Sequence, residues 1–112
     1  RKGFTMSKKE LILDLGLKRR GKNINESYLK ALGTVTQIAL ERMFQGDPSS
    51  LKLTGTTSEI NAFVGALQAE KRYLDSFIKN GLSNSATYTS KNRLNSAISD
   101  FESTTGLRWP FI

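Results

Sequence analysis

Between Thr56 and Gly81 the chain spells one long helix with both ends marked, and any fold must be arranged around it. Thr56 and Glu59 have capping-box spacing, in which the threonine oxygen takes a first-turn amide and the glutamate reaches back. The helix should run to about Asn80, with Gly81 as its C-cap. At 100° per residue, Ile60, Phe63, Val64, Leu67, Leu74 and Ile78 share one face, and Ala62, Gly65, Ala66, Ala69 and Tyr73 the opposite one. A helix bulky on one side and small on the other is expected at the centre, touched from both sides. Lys71 falls among the bulky residues, where its stem can lie along them while its amine reaches Asp75, four positions on.

A second helix is expected from an Asn25 cap to about Gln45, with Leu29, Leu32, Thr36, Leu40 and Met43 as its apolar stripe. Gly33 lies inside it and marks close packing or a bend. Gly46 and Pro48 stop it. Leu51 and Leu53 alternate with Lys52 and Thr54, the pattern of a short strand. "SNSATYTS" reads as a polar loop, after which Thr89 can cap a last helix over about Ser90 to Thr104, with Leu94, Ala97, Ile98 and Phe101 turned inward. Gly106 ends it, and Pro110 keeps the tail "LRWPFI" extended.

The start is ambiguous. Leu11, Leu13, Leu15 and Leu17 alternate as in a strand, whereas Leu11, Ile12 and Leu15 suit a helical face. Ser7 and Glu10 have capping-box spacing and leucine favours helix, so a short helix ending near Gly16 is the expectation. The fold class is then mainly α: a single domain of three to four helices with one long central helix and at most a short strand pair. Residues 1–22 form a basic arm with a short helix, and residues 23–112 a helical domain with an apolar C-terminal tail.

Charge is divided unevenly between these parts. Of the formal net charge of +7, residues 1–22 carry +6, from Arg1, Lys2, Lys8, Lys9, Lys18, Arg19, Arg20 and Lys22 against Glu10 and Asp14. These eight cations are the candidate anion-binding or nucleic-acid-binding residues, and "LKRRGKN" reads as an exposed basic loop. No aromatic residues interleave the basic run and no base-reading helix is evident, so neither single-strand stacking nor sequence-specific readout is indicated. A cationic front on a nearly neutral body favours attachment over catalysis.

The chemistry of the remaining residues points the same way. The chain has no cysteine and no histidine, which excludes disulfides, thiolate chemistry and the usual zinc sites, so no metal or cofactor is expected. Glu70, Asp75, Asp100 and Glu102 are carboxylates in helices with no spacing that singles out an acid–base pair, and no enzyme is expected. "LTGTTSE" lacks the lysine and second glycine of a phosphate-binding loop, and capping accounts for it. No apolar run is long enough for a membrane span, and "LILDLGL" lacks the cleavage site of a secretion signal. Trp109, Phe111 and Ile112 are too apolar to stand in water. They either fold back to close the core, the favoured expectation, or dock on a protein partner with Trp109 as anchor.

"ALGTVTQIALERMF" (Ala31 to Phe44), "LKLTGTTSEINAFVGALQAEKRYLDSFIKNGL" (Leu51 to Leu82) and the closing "FESTTGLRWPFI" (Phe101 to Ile112) together resemble the small prohead core proteins of T-even-type tailed bacteriophages. That resemblance implies an internal component of the phage head that joins the scaffolding core, meets shell or scaffold proteins and the packaged DNA, and spends its assembly phase in the host cytoplasm. Trimming by the head's own protease would account for a chain that opens on Arg1 in place of Met. It implies no catalytic residue, cofactor, membrane or small-molecule substrate. Two other functions remain open on the residues alone: a sequence-nonspecific nucleic-acid-binding accessory or regulatory protein, and a phage inhibitor docking on a host protein.

Overall fold

A computed structural model describes residues 11–46 and 51–111. Its elements run β1 (Leu11–Asp14), α1 (Glu26–Gln45), β2 (Leu51–Thr54), α2 (Thr57–Asn80) and α3 (Ser85–Thr105). Among the described residues the protein is mainly helical, with three helices and one short strand pair, as the sequence leads one to expect.

The long helix forms as its end signals dictate. The Thr56 hydroxyl accepts from the Glu59 amide at 3.1 Å, and Glu59 Oε1 accepts from the Thr56 amide at 2.8 Å. At the other end the Gly81 amide closes on the Phe77 carbonyl at 2.9 Å. α1 likewise starts at Asn25, whose side chain accepts from the Tyr28 amide at 2.8 Å, and ends on a left-handed Gly46.

α2 and α3 form an antiparallel hairpin. The Thr87 hydroxyl donates to the Ser76 carbonyl at 3.1 Å near the connection, and the Phe63 and Phe101 rings meet at 6.0 Å near the open end. Phe63, Phe101, Leu94 and Ala66 are buried along that seam. α1 lies against α2 with Thr36, Ala39 and Leu40 buried, and its Phe44 ring receives the Lys71 ammonium at 5.1 Å. Lys71 also meets Asp75 at 2.8 Å, the pairing that the sequence spacing implies.

Three expectations need correction. The expected short helix before Gly16 is a strand: β1 pairs in parallel with β2 in the register Leu11↔Leu51 through Asp14↔Thr54, and the ladder continues where the Leu15 amide donates to Thr54 at 2.7 Å. A partner forty residues away decided between two patterns that were locally balanced. Ser7 and Glu10, the cap of that expected helix, lie outside the described residues. From Leu13 onward the segment is also part of the body, because Leu13 and Leu15 are buried in the same core as the helices. The last helix begins at Asn84 and not Thr89, since the Asn84 side chain accepts from the Ala86 amide at 2.8 Å. Finally, Ile78 is 73 % exposed although the wheel puts it on the bulky face. α2 runs nine residues past Lys71, the level at which α1 ends, so its last turns have no helix on that side.

Candidate functional site: the basic turn, the tail and the groove

The basic loop is a turn over residues 17–21 that leaves β1 and folds over the start of α2. Its hydrogen bonds are local, from the Arg20 amide to Gly16 at 3.1 Å and from the Lys22 amide to Leu17 at 2.9 Å. Gly16 matters because both arginines cross it: a Cβ there would lie 2.5 Å from one Arg19 guanidinium nitrogen and 2.9 Å from one of Arg20.

Two of the expected anion-binding cations are matched inside the molecule. Arg19 Nε donates to Glu59 Oε2 at 3.1 Å, with the carboxylate buried and Arg19 47 % exposed. Arg20 forms an ion pair with Asp14, whose other contact is the Gly16 amide at 2.9 Å. Burial alone would push the Glu59 carboxyl up, but the Thr56 amide and the Arg19 guanidinium outweigh it and hold the group below its ordinary 4.5. The Arg20 guanidinium holds Asp14 below its ordinary 3.8, and the same contact raises Arg20. Beside them Tyr28 donates its hydroxyl to the Asp14 carbonyl. Burial, then the Asp14 charge, push that phenol up to about 12.

Lys18 is exposed, but its stem runs past Gly106: a Cβ at that left-handed glycine would lie 2.8 Å from Lys18 Cγ. The lysine therefore sits at the carbonyl end of α3, where the helix dipole favours a cation. Lys22 is exposed and has no ion-pair partner among the described residues. Arg1, Lys2, Lys8 and Lys9 lie outside the described residues. A basic loop read from the sequence as open to any anion is, at Arg19 and Arg20, matched to carboxylates of the body, and the Arg19 pair fastens the turn to the start of α2. Nothing local to "KRRGK" signals this, because Arg19 and its carboxylate are forty residues apart.

Trp109 is 5 % exposed and closes the core, the fold-back alternative for the tail. Its ring lies 5.2 Å from Phe101, edge-on, and 5.9 Å from Phe63. Its indole N–H donates to Glu70 at 2.9 Å and its backbone amide to Glu102 at 3.0 Å. Two carboxylates that looked idle in the sequence thus hold the tail in place. The indole cannot serve as a docking anchor while the tail stays packed. Phe111 is half-buried against Trp109 at 6.0 Å, and Ile112 lies outside the described residues.

Between α1, α3 and the tail runs an open groove of about 670 Å³. Leu29, Ile98, Pro110 and Phe111 give it an apolar lining, and its charged residues are Lys91, Arg108 and Glu102, the last already accepting from the Trp109 amide. Such a lining suits an apolar segment carrying carboxylates better than it suits chemistry. Among the described residues no group of His, Cys, Asp and Glu could hold a metal ion, and no helix is long and apolar enough to cross a membrane. Comparison with protein-family models, with curated proteins and with solved structures finds no match.

Proposed function

We propose that this chain is a non-enzymatic structural protein of a phage head, a component of the prohead core or interior that binds shell or scaffold protein. The likeness of its three segments to small prohead core proteins motivates the reading. The observation that carries it is the groove beside the tail, an apolar channel with Lys91 and Arg108 at its sides. There Phe111, not Trp109, supplies the docking surface of the tail. Lys18 and Lys22, with the cations of residues 1–9, remain the candidates for contact with an anionic scaffold or DNA.

The test is to purify heads on a gradient and count this chain by quantitative mass spectrometry. Many copies per particle are expected, and a Leu29→Glu/Phe111→Glu variant, which places two carboxylates in the groove, should be incorporated at least tenfold less well while remaining folded. Absence of the wild-type chain from heads would overturn the assignment. Capture of a host protein by free chain, with heads lacking it, would favour the inhibitor reading.

A further inference from the structure

On the other side of the α2–α3 hairpin, away from the groove, the two helices leave a cleft of about 170 Å³ lined by Gly65, Gln68, Ala69, Arg72, Ser90 and Arg93. Gly65 and Ala69 make its floor shallow in atoms, and a Cβ built on Gly65 meets nothing within 4 Å. Arg72 from α2 and Arg93 from α3 flank this gap. Both are exposed, and neither has a carboxylate partner among the described residues, in contrast to Arg19 and Arg20. Nearby acids are already engaged: Asp75 holds Lys71 at 2.8 Å and Glu70 holds the Trp109 indole at 2.9 Å.

The surrounding sequence has the same bias. Residues 76–99 contain no aspartate or glutamate, include Lys79, Lys91 and Arg93, and are half Ser, Asn or Thr across twenty-four positions. Cations interspersed with hydroxyl and amide donors are the groups that contact a nucleic-acid backbone. The cleft is smaller than the roughly 300–1,000 Å³ of pockets that enclose a whole organic ligand. It suits one tetrahedral oxyanion presented from outside, gripped by two guanidiniums with Gln68 and Ser90 to complete its hydrogen bonds. Asp100, seven residues beyond Arg93 on α3, is not among the residues that line the cleft.

The geometry points to the Arg72–Arg93 cleft as a seat for a backbone phosphate of nucleic acid, read without regard to base sequence. This site is separate from the basic turn and independent of the head assignment. It stands if the chain is absent from heads, and the head assignment stands if no nucleic acid binds here.

The experiment is a titration of the full chain, followed by backbone amide and arginine side-chain resonances. One arm uses a twelve-base-pair duplex of mixed sequence at low salt, and the other inorganic phosphate. The duplex should shift residues 65–72 and 90–93. Arg72→Gln/Arg93→Gln should weaken binding at least tenfold and flatten the dependence of log affinity on log salt by about one to two units. Both side chains are exposed, so the variant's melting midpoint should match that of the wild type. Lys18→Gln/Lys22→Gln should leave the hairpin shifts in place. Unchanged duplex affinity in the arginine variant, or shifts confined to residues 18–22, would overturn the proposal. Shifts with inorganic phosphate and none with the duplex would overturn its nucleic-acid assignment.

Discussion

Arg19 and Arg20 at the sheet corner and Arg72 and Arg93 on the hairpin are the same residue type put to opposite uses. At the corner each guanidinium meets a carboxylate of the body, and the contacts tie β1 to the start of α2. On the hairpin the nearby carboxylates are committed elsewhere and the guanidiniums face an open cleft. The difference teaches that a dense run of positive charge in a sequence measures supply, while availability depends on where the acids fold. In this protein two neighbouring arginines of the most charged run are matched inside the molecule, and two arginines from different helices are not.

The contrast extends from charge to packing, and the largest expected effect lies there. Trp109→Ala should remove roughly 3–5 kcal/mol of stability in urea unfolding, because the buried indole packs against both Phe63 and Phe101. Ile78→Ser, at the uncovered end of α2, should stay within about 0.5 kcal/mol of wild type. Equal losses would erase the distinction between a packed base and an unsupported tip.

Next in size is Glu59→Ala, which removes the capping box and the partner of Arg19 together. A loss of about 1–2 kcal/mol is expected, measured by the same unfolding curve. If the Arg19→Gln variant alone loses as much, the ion pair dominates. If it loses far less, the cap does.

The smallest effect is the pH dependence. Asp14 and Glu59 titrate below their ordinary 3.8 and 4.5 in the folded chain. A depressed carboxylate pKa contributes stability that is complete above the unfolded value and is lost as pH falls through the folded one. Unfolding midpoints should therefore hold level from neutral pH down to about 5 and decline below that. Asp14→Asn/Glu59→Gln should flatten the decline, whereas Arg72→Gln/Arg93→Gln should leave it unchanged. The Asp14 share is small because its pair with Arg20 is partly exposed and screened by solvent.

How much of this was legible beforehand differs by the range of the interaction. α1 and α2 were readable because their signals are local: Asn25 with Tyr28, Thr56 with Glu59, and a glycine after each last turn. β1 was not, since leucines at 11, 13, 15 and 17 fit either period until β2 supplies the ladder. The first turns of α3 carry a loop-like sequence because the residue that faces the core there, Thr87, is polar. It is buried by giving its hydroxyl to the Ser76 carbonyl, which no hydropathy pattern reveals. The site followed the same rule. The cations of the turn could be named from the sequence, but their partners could not. Arg72 and Arg93 carry no local signature, because the hairpin alone brings them to one cleft.

The parallel pairing of β1 with β2 has a consequence in time. Its two strands are separated by the whole of α1, so the pair can close only after a chain segment of some forty residues has been gathered in, at an entropic cost that a hairpin never faces. Contacts such as Ser76 with Thr87 span eleven residues and form at short range. The expected order of assembly is hairpin first and corner last, with β1 waiting, unmatched, for a partner still to be brought home.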